Sequence, residues 1–267
     1  MGRLIKIVVV LAVLLLLAGG AAFVFLDSIV RGAIEKGATY ATGVETTLAS
    51  ADVGLLSGHL ELEGLDIENP PNFRPEPFLH LDSARASWDG STVLSQKIEM
   101  NEFALEGVTL NIERTSKQSN YGVILGNLQK LSSGTEKPPA DDAAGEQRNL
   151  RIRRIVIRRV EVGLHLSDVV GLSASQKVIV PEIVIEDFDT SGTTVEIVSK
   201  LTQAIVLAVV EASAAAGKDL IPADVLKDLG RGLEGALDSV SKDTLKGLDS
   251  ALKDVGKGVE DLFKKKP

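Results

Sequence analysis

The chain has 267 residues, 44% of them hydrophobic, and its 29 Lys and Arg against 37 Asp and Glu leave a formal charge of -8. That balance excludes the clustered positive charge that phosphate contacts need, so no nucleic-acid partner is expected. The absence of cysteine excludes disulfides, thiolate chemistry and a lipid-modified cysteine at the N-terminus.

Residues 1–26 read as a membrane anchor. Ile7 to Leu26 is an uncharged run of 20 residues, which as a helix would span roughly 30 Å, the depth of a bilayer's hydrocarbon core. Arg3 and Lys6 precede it and Asp27 follows. The positive-inside rule then predicts a single-pass inner-membrane protein with a cytoplasmic N-terminus and the bulk of the chain on the periplasmic side. The competing reading is a cleaved signal peptide ending near Gly20, Ala21 and Ala22, but the apolar run continues through Phe23, Val24 and Phe25.

Residues 27–43 read as a juxtamembrane helix, with Ile29, Val30, Ala33 and Ile34 on one side and Arg31, Glu35 and Lys36 opposite, limited by Gly37 and Gly43. Residues 44–191 alternate with the period of a sheet that has one apolar and one solvated face. Leu60, Leu62, Ile67, Leu79, Leu81, Phe103, Leu105, Val108, Leu110 and Ile112 mark the apolar face. Gly64 and Gly107 are expected bulges, and Asn69-Pro70-Pro71-Asn72 and Asp89-Gly90 are expected turns. One strand is expected to run from Phe78 to Trp88 and continue over Val93 to Met100, followed by another over Phe103 to Arg114.

An exposed helix is predicted over 120–132 and a flexible polar insertion over 133–147. Strands resume at Leu150, where the alternation slips at Arg153-Arg154 and at Arg158-Arg159. A slip flips the faces unless a bulge absorbs it. Val178 to Phe188 reads as one strand, with Pro181 marking an edge or a break. Thr193 and Glu196 form an expected capping box that opens a covering helix over 192–217. Its apolar face is too broad for a surface helix, while Glu196, Lys200, Gln203 and Glu211 argue against a second membrane span. Residues 218–267 read as an amphipathic helical tail weakened by many glycines. The fold class is therefore α+β, with an N-terminal transmembrane helix, a curved and mostly antiparallel sheet covered by helices, and a helical tail.

A family pattern lies in Ile67-Glu68-Asn69-Pro70-Pro71-Asn72-Phe73, in Leu79-His80-Leu81-Asp82-Ser83-Ala84-Arg85-Ala86-Ser87-Trp88-Asp89, and in the strand from Ile98 to Glu113, followed by Ser119-Asn120-Tyr121-Gly122. With the preceding anchor, residues 1–190 resemble AsmA-like envelope proteins, which are related to bridge-like lipid-transfer proteins. The resemblance implies a β-groove with an apolar lining and a part in phospholipid transport or outer-membrane maintenance. Some eight short strands would form one capped module rather than a bridge.

No nucleophile elbow, phosphate-binding glycine loop or HExxH occurs, so neither an enzyme nor a cofactor is expected. His80-Leu81-Asp82 is a candidate metal pair whose simpler account is the solvated face of a strand, and no metal is expected. Candidate lipid-binding residues are Leu60, Leu62, Leu79, Leu81, Leu105, Val108 and Leu110. Arg151, Arg153, Arg154 and Arg158 are candidates for contact with lipid head groups or an acidic partner, against a structural role pairing the acidic strands. The expected function is non-enzymatic lipid handling, with a phospholipid and an envelope protein as partners. If the helix at 193–216 covers the apolar face completely, there is no groove. The alternative is a structural or interaction protein whose tail helices bind a partner or a membrane surface.

Overall fold

The computed structural model describes residues 25–54, 57–88, 97–115, 117–132, 146–166, 176–180, 182–218 and 220–238. The expected anchor at Ile7 to Leu26 therefore lies outside the described residues except for its last two, as do the insertion over 133–145 and the tail beyond 238. Helix α1 (25–42) is followed by β1 (Thr46–Gly54), β2 (His59–Ile67), β3 (Leu79–Trp88), β4 (Lys97–Arg114), α2 (Asn120–Ser132), β5 (Arg148–Leu166), β6 (Gln176–Val180), β7 (Ile183–Gly192), α3 (Thr194–Ala216) and α4 (Ala223–Asp238). The chain is α+β.

The strands form one mixed sheet in the order β1-β2-β3-β4-β5-β6, with β7 also on β5. Every pair is antiparallel except β4 with β5, which α2 and the residues after it join as a crossover. The stretch expected as two strands over 93–100 and 103–114 is a single strand from Lys97. The expected strand over 178–188 is instead β6 and β7, which share one register on β5 across Pro181, a residue with no N–H to give to a ladder.

The slips in the alternation turn out to be shared. Each ladder skips one level: between Leu48 and Ser50 in β1, at Gly64 in β2, at Asp82 in β3, at Gly107 in β4 and at Arg159 in β5. Gly64, Gly107 and Arg159 have φ of 62°, 73° and 53°, the left-handed region in which one residue can be taken up without extending the strand. Because the extra residue falls at the same level in neighbouring strands, Leu60 and Leu62 stay on the same face as Leu65 and Ile67. Leu105 likewise stays with Val108, and Ile157 with Val160. A second such level runs through Asn101, Arg153 and Asp187, the last with φ 51°.

The apolar face is covered by helices. Thr193 caps α3: its Oγ1 accepts from Glu196 N at 3.4 Å, and its own N–H donates to Glu196 Oε2 at 2.8 Å. α3 packs on β5, β6 and β7 with Ala204, Leu207, Ala208 and Val210 buried. It is the one described helix long and apolar enough to cross a membrane, and most of it is inside the domain. It crosses α1 closely. Ser199 Oγ donates to Gly37 O at 2.9 Å, and a Cβ on Gly37 would overlap Val198. Gly37 thus permits a helix crossing, and α1 runs through it to end near Gly43, at φ 71°. Helix α2 is not exposed, contrary to expectation. Tyr121, Ile124, Leu125 and Leu128 are buried because α4 packs across α2 with Val225, Leu229 and Leu233. The described part of the tail is therefore a fourth packed helix.

Helix α1 also closes one edge of the sheet. Asp27, Arg31, Glu35 and Thr39 recur every four residues and so form one stripe. Asp27 accepts from Val53 N at 3.0 Å, Glu35 from Leu48 N at 2.9 Å and Thr39 from Thr46 N at 2.9 Å, while Arg31 donates to Ala49 O at 3.3 Å. Side chains stand where a further strand would stand. The Asn-Pro-Pro-Asn turn is fixed in a similar way. The buried Asn120 side chain accepts from Glu113 N and Tyr121 N and donates to Asn69 Oδ1 and Asn111 O.

Two consequences can be measured. Gly107→Ala should cost about 1–3 kcal/mol in urea unfolding, because a non-glycine residue is strained at this φ and its Cβ would overlap the Asp82 carboxylate. Gly64→Ala, which meets only the Ala49 Cβ, should cost less. Glu35→Ala should lower stability by about 1–3 kcal/mol by leaving an amide of the strand without its acceptor. Hydrogen exchange should locate the loss at Leu48; if only amides far from β1 speed up, the edge account is wrong.

Candidate functional site

A cavity of about 320 Å³ lies between the sheet and the helices α1 and α3. It exists because α3 rests on β5–β7 while α1 lies along β1, so the face of β2–β4 between them is roofed without being filled. The sheet contributes Leu60, Leu62, Leu79, Leu81, Leu105 and Val108, six of the expected lipid-binding residues. The seventh, Leu110, is fully buried elsewhere in the core and does not line the cavity. The roof is Val30, Ala33 and Ile34 from α1 with Ile197, Val198 and Leu201 from α3. Among the described residues its polar lining is limited to Arg148, Thr194, Thr202 and the indole of Trp88. The helix at 193–216 thus covers the apolar face incompletely.

Burial is graded along the cavity. Leu79, Leu81, Leu105 and Val108 are buried, whereas Val53, Leu60, Trp88, Ile98, Met100 and Arg148 are half-buried. The pairing of Val53 with Leu60 and of Trp88 with Met100 places these rim residues at one end of the sheet. The lining can exclude water and hold hydrocarbon.

The basic cluster faces the other way. Arg158 donates to Glu182 at 2.7 Å and to Glu106 at 3.3 Å, and Arg154 lies 3.6 Å from Glu102 and 3.5 Å from Glu182. Arg151 reaches Asp187 at 3.2 Å and Arg153 reaches Glu99 at 4.0 Å. Burial pushes the Glu106 carboxyl up, but the guanidiniums of Arg159 and Arg158 outweigh it and hold it below the usual carboxylate range. These four arginines are therefore parts of a cross-strand charge lattice on the solvated face, remote from the cavity. His80 belongs to the same face, with Nδ1 2.6 Å from Asp66 and Nε2 3.3 Å from Asp82. The two carboxylates sit on opposite sides of the ring and do not converge on a point where a metal could bind. Among the described residues no other His, Asp and Glu group does so.

The covering role of α3 was expected from the sequence, whereas the α1 half of the roof was not. The signal was present in α1, where Val30, Ala33 and Ile34 form the apolar side, but nothing in the pattern said that this side meets the sheet rather than lipid. Trp88 and Arg148 were also not singled out as lining residues. No protein-family model matches the chain, and no curated protein matches it.

One buried acid stands apart. Glu211 on α3 is 7% exposed, its Oε2 has no hydrogen-bond partner among the described residues, and burial raises its carboxyl from 4.5 to about 7. Between those values the folded chain retains a proton that the unfolded chain has lost, so stability falls as pH rises from about 4.5 to about 7 and is level above that. Glu211→Gln should be more stable than the parent at pH 8, by at most about 3 kcal/mol, and by much less at pH 4.5. Urea midpoints at both pH values test this; an equal gap at both would mean that the carboxyl does not titrate with folding.

Proposed function

We propose that this is a non-enzymatic protein of the cell envelope, held in the inner membrane by residues 7–26 with its domain in the periplasm, and that it handles phospholipid by sheltering an acyl chain in the cavity. The observation that carries the proposal is the lining: a cavity of small-molecule size, walled by Leu, Ile, Val and Phe from the sheet and both helices, with polar groups confined to a few positions. Covering hydrocarbon gains about 25 cal/mol per Å² removed from water, which is the driving force such a lining supplies. The likeness of residues 60–131 to AsmA-like repeats supports the same reading. It implies a role in lipid transport or outer-membrane maintenance for a single module closed by its own helices.

The cross-strand pairing of Arg151, Arg153, Arg154 and Arg158 favours a structural role for them over contact with lipid head groups. The alternative of a tail that binds partners retains only residues 239–267, since α4 is packed on α2 and α3.

The test uses the full chain, extracted from membranes and exchanged into a lipid-free amphipathic polymer, followed by mass spectrometry of an organic extract. A variant carrying Ala33→Phe and Leu201→Phe fills the cavity from its roof while keeping the same anchor and the Gly37–Val198 crossing, so the difference between the two proteins reports on the cavity. Phospholipid at a reproducible ratio in the parent, and a clear loss in an equally stable variant, is the expected outcome. Equal lipid in both would leave only lipid bound around the anchor.

A further inference from the structure

The three sides of α1 have different tasks. The stripe Asp27, Arg31, Glu35 and Thr39 holds the edge of β1, and Val30, Ala33 and Ile34 roof the cavity. A third side carries Phe25 and Ile29, one turn apart, 60% and 62% exposed. Among the described residues no strand or helix covers them. The bond from Val53 N to Asp27 Oδ1 fixes the start of α1 at the rim end of the cavity, and the uncharged run 7–26 leads directly into it.

We propose that the rim end of the domain lies against the bilayer surface, with Phe25 and Ile29 immersed in it, so that the cavity opens onto the leaflet and takes its acyl chain directly from there. Arg148, the charged lining residue at the rim, then exchanges its exposed partner Glu146, 3.3 Å away, for the lipid's phosphate. This rests on the proposed acyl-chain cavity and adds to it where the chain comes from. The occupant of the Phe25–Ile29 side is a lipid surface. Two side chains on one turn are far below the roughly 800 Å² per partner of a stable protein interface, whereas aromatic and aliphatic side chains beside a membrane anchor suit the bilayer boundary. Phe25 itself belongs to the apolar run and Ile29 follows its end by three residues, so with that run in the membrane, as proposed above, the first turn of α1 lies at the bilayer surface.

Trp88 is the chain's single tryptophan and lines the rim, so its fluorescence is an intrinsic reporter. The full chain is reconstituted in phosphatidylcholine–phosphatidylglycerol vesicles whose acyl chains carry bromine, a short-range quencher. The expected result is loss of most Trp88 emission in the parent. A variant with Phe25→Glu and Ile29→Glu, which still floats with the vesicles and unfolds at the same urea concentration, should keep its emission. Equal quenching in both proteins overturns the docking surface. If neither is quenched by vesicles but a monomeric brominated lysophospholipid quenches the parent, the cavity binds acyl chains while membrane docking is wrong. If the monomer also fails, the cavity reading falls with it.

Discussion

The architecture depends on one constraint, that every strand must keep its apolar side chains on one face although its alternation is broken. A single slip in one strand would turn half of its leucines and isoleucines toward water. Here the extra residue occurs at matching levels of adjacent strands, through Gly64, Asp82, Gly107 and Arg159, and all of them turn together. The face stays continuous from β1 to β7, and only a continuous apolar face can bury three sides of a helical layer. The cavity follows from the same arrangement: α1 and α3, which meet at Gly37, roof the face of β2–β4 without filling it.

Much of this was legible because it is local. The period of two, the glycines at 64 and 107, and the capping box at Thr193 and Glu196 each act within a few residues of themselves, and the structure has a bulge at both glycines and a cap at Thr193. What was not legible depends on partners distant in sequence. Lys97 to Arg114 read as two strands because the irregularity at Asn101 resembles an end; its continuity becomes visible only beside β5, where Arg153 has the matching irregularity. Helix α2 read as exposed because the residues that cover it come about 100 positions later, in α4. The apolar residues of the sheet were found from their spacing, except that spacing could not separate Leu110 in the closed core from Leu105 in the cavity wall.

The two faces of the sheet illustrate how little a residue type says without a location. Six arginines between 148 and 159 suggest anion binding when read along the chain. In space, Arg151, Arg153, Arg154 and Arg158 alternate with carboxylates of β4 and β7, and exposed pairs of this kind set register and solubility more than stability. Arg148 is close in sequence and lies at the rim of the apolar cavity, where its carboxylate partner is the neighbouring Glu146 rather than a strand across the sheet.

The parallel pairing of β4 with β5 has a consequence for how the chain reaches this state. β1 to β4 form a meander of antiparallel neighbours that can close by short loops. β5, the centre of the remaining sheet, must find β4 across residues 115–147 and in the opposite sense from a hairpin. Closing a long loop before any contact rewards it is entropically slow. Until it closes, β4 presents an open apolar edge, and β6, β7 and α3 have nothing to pack on. The long-range pairing of β5 with β4, which also brings α3 over the sheet, is therefore the contact on which the cavity depends.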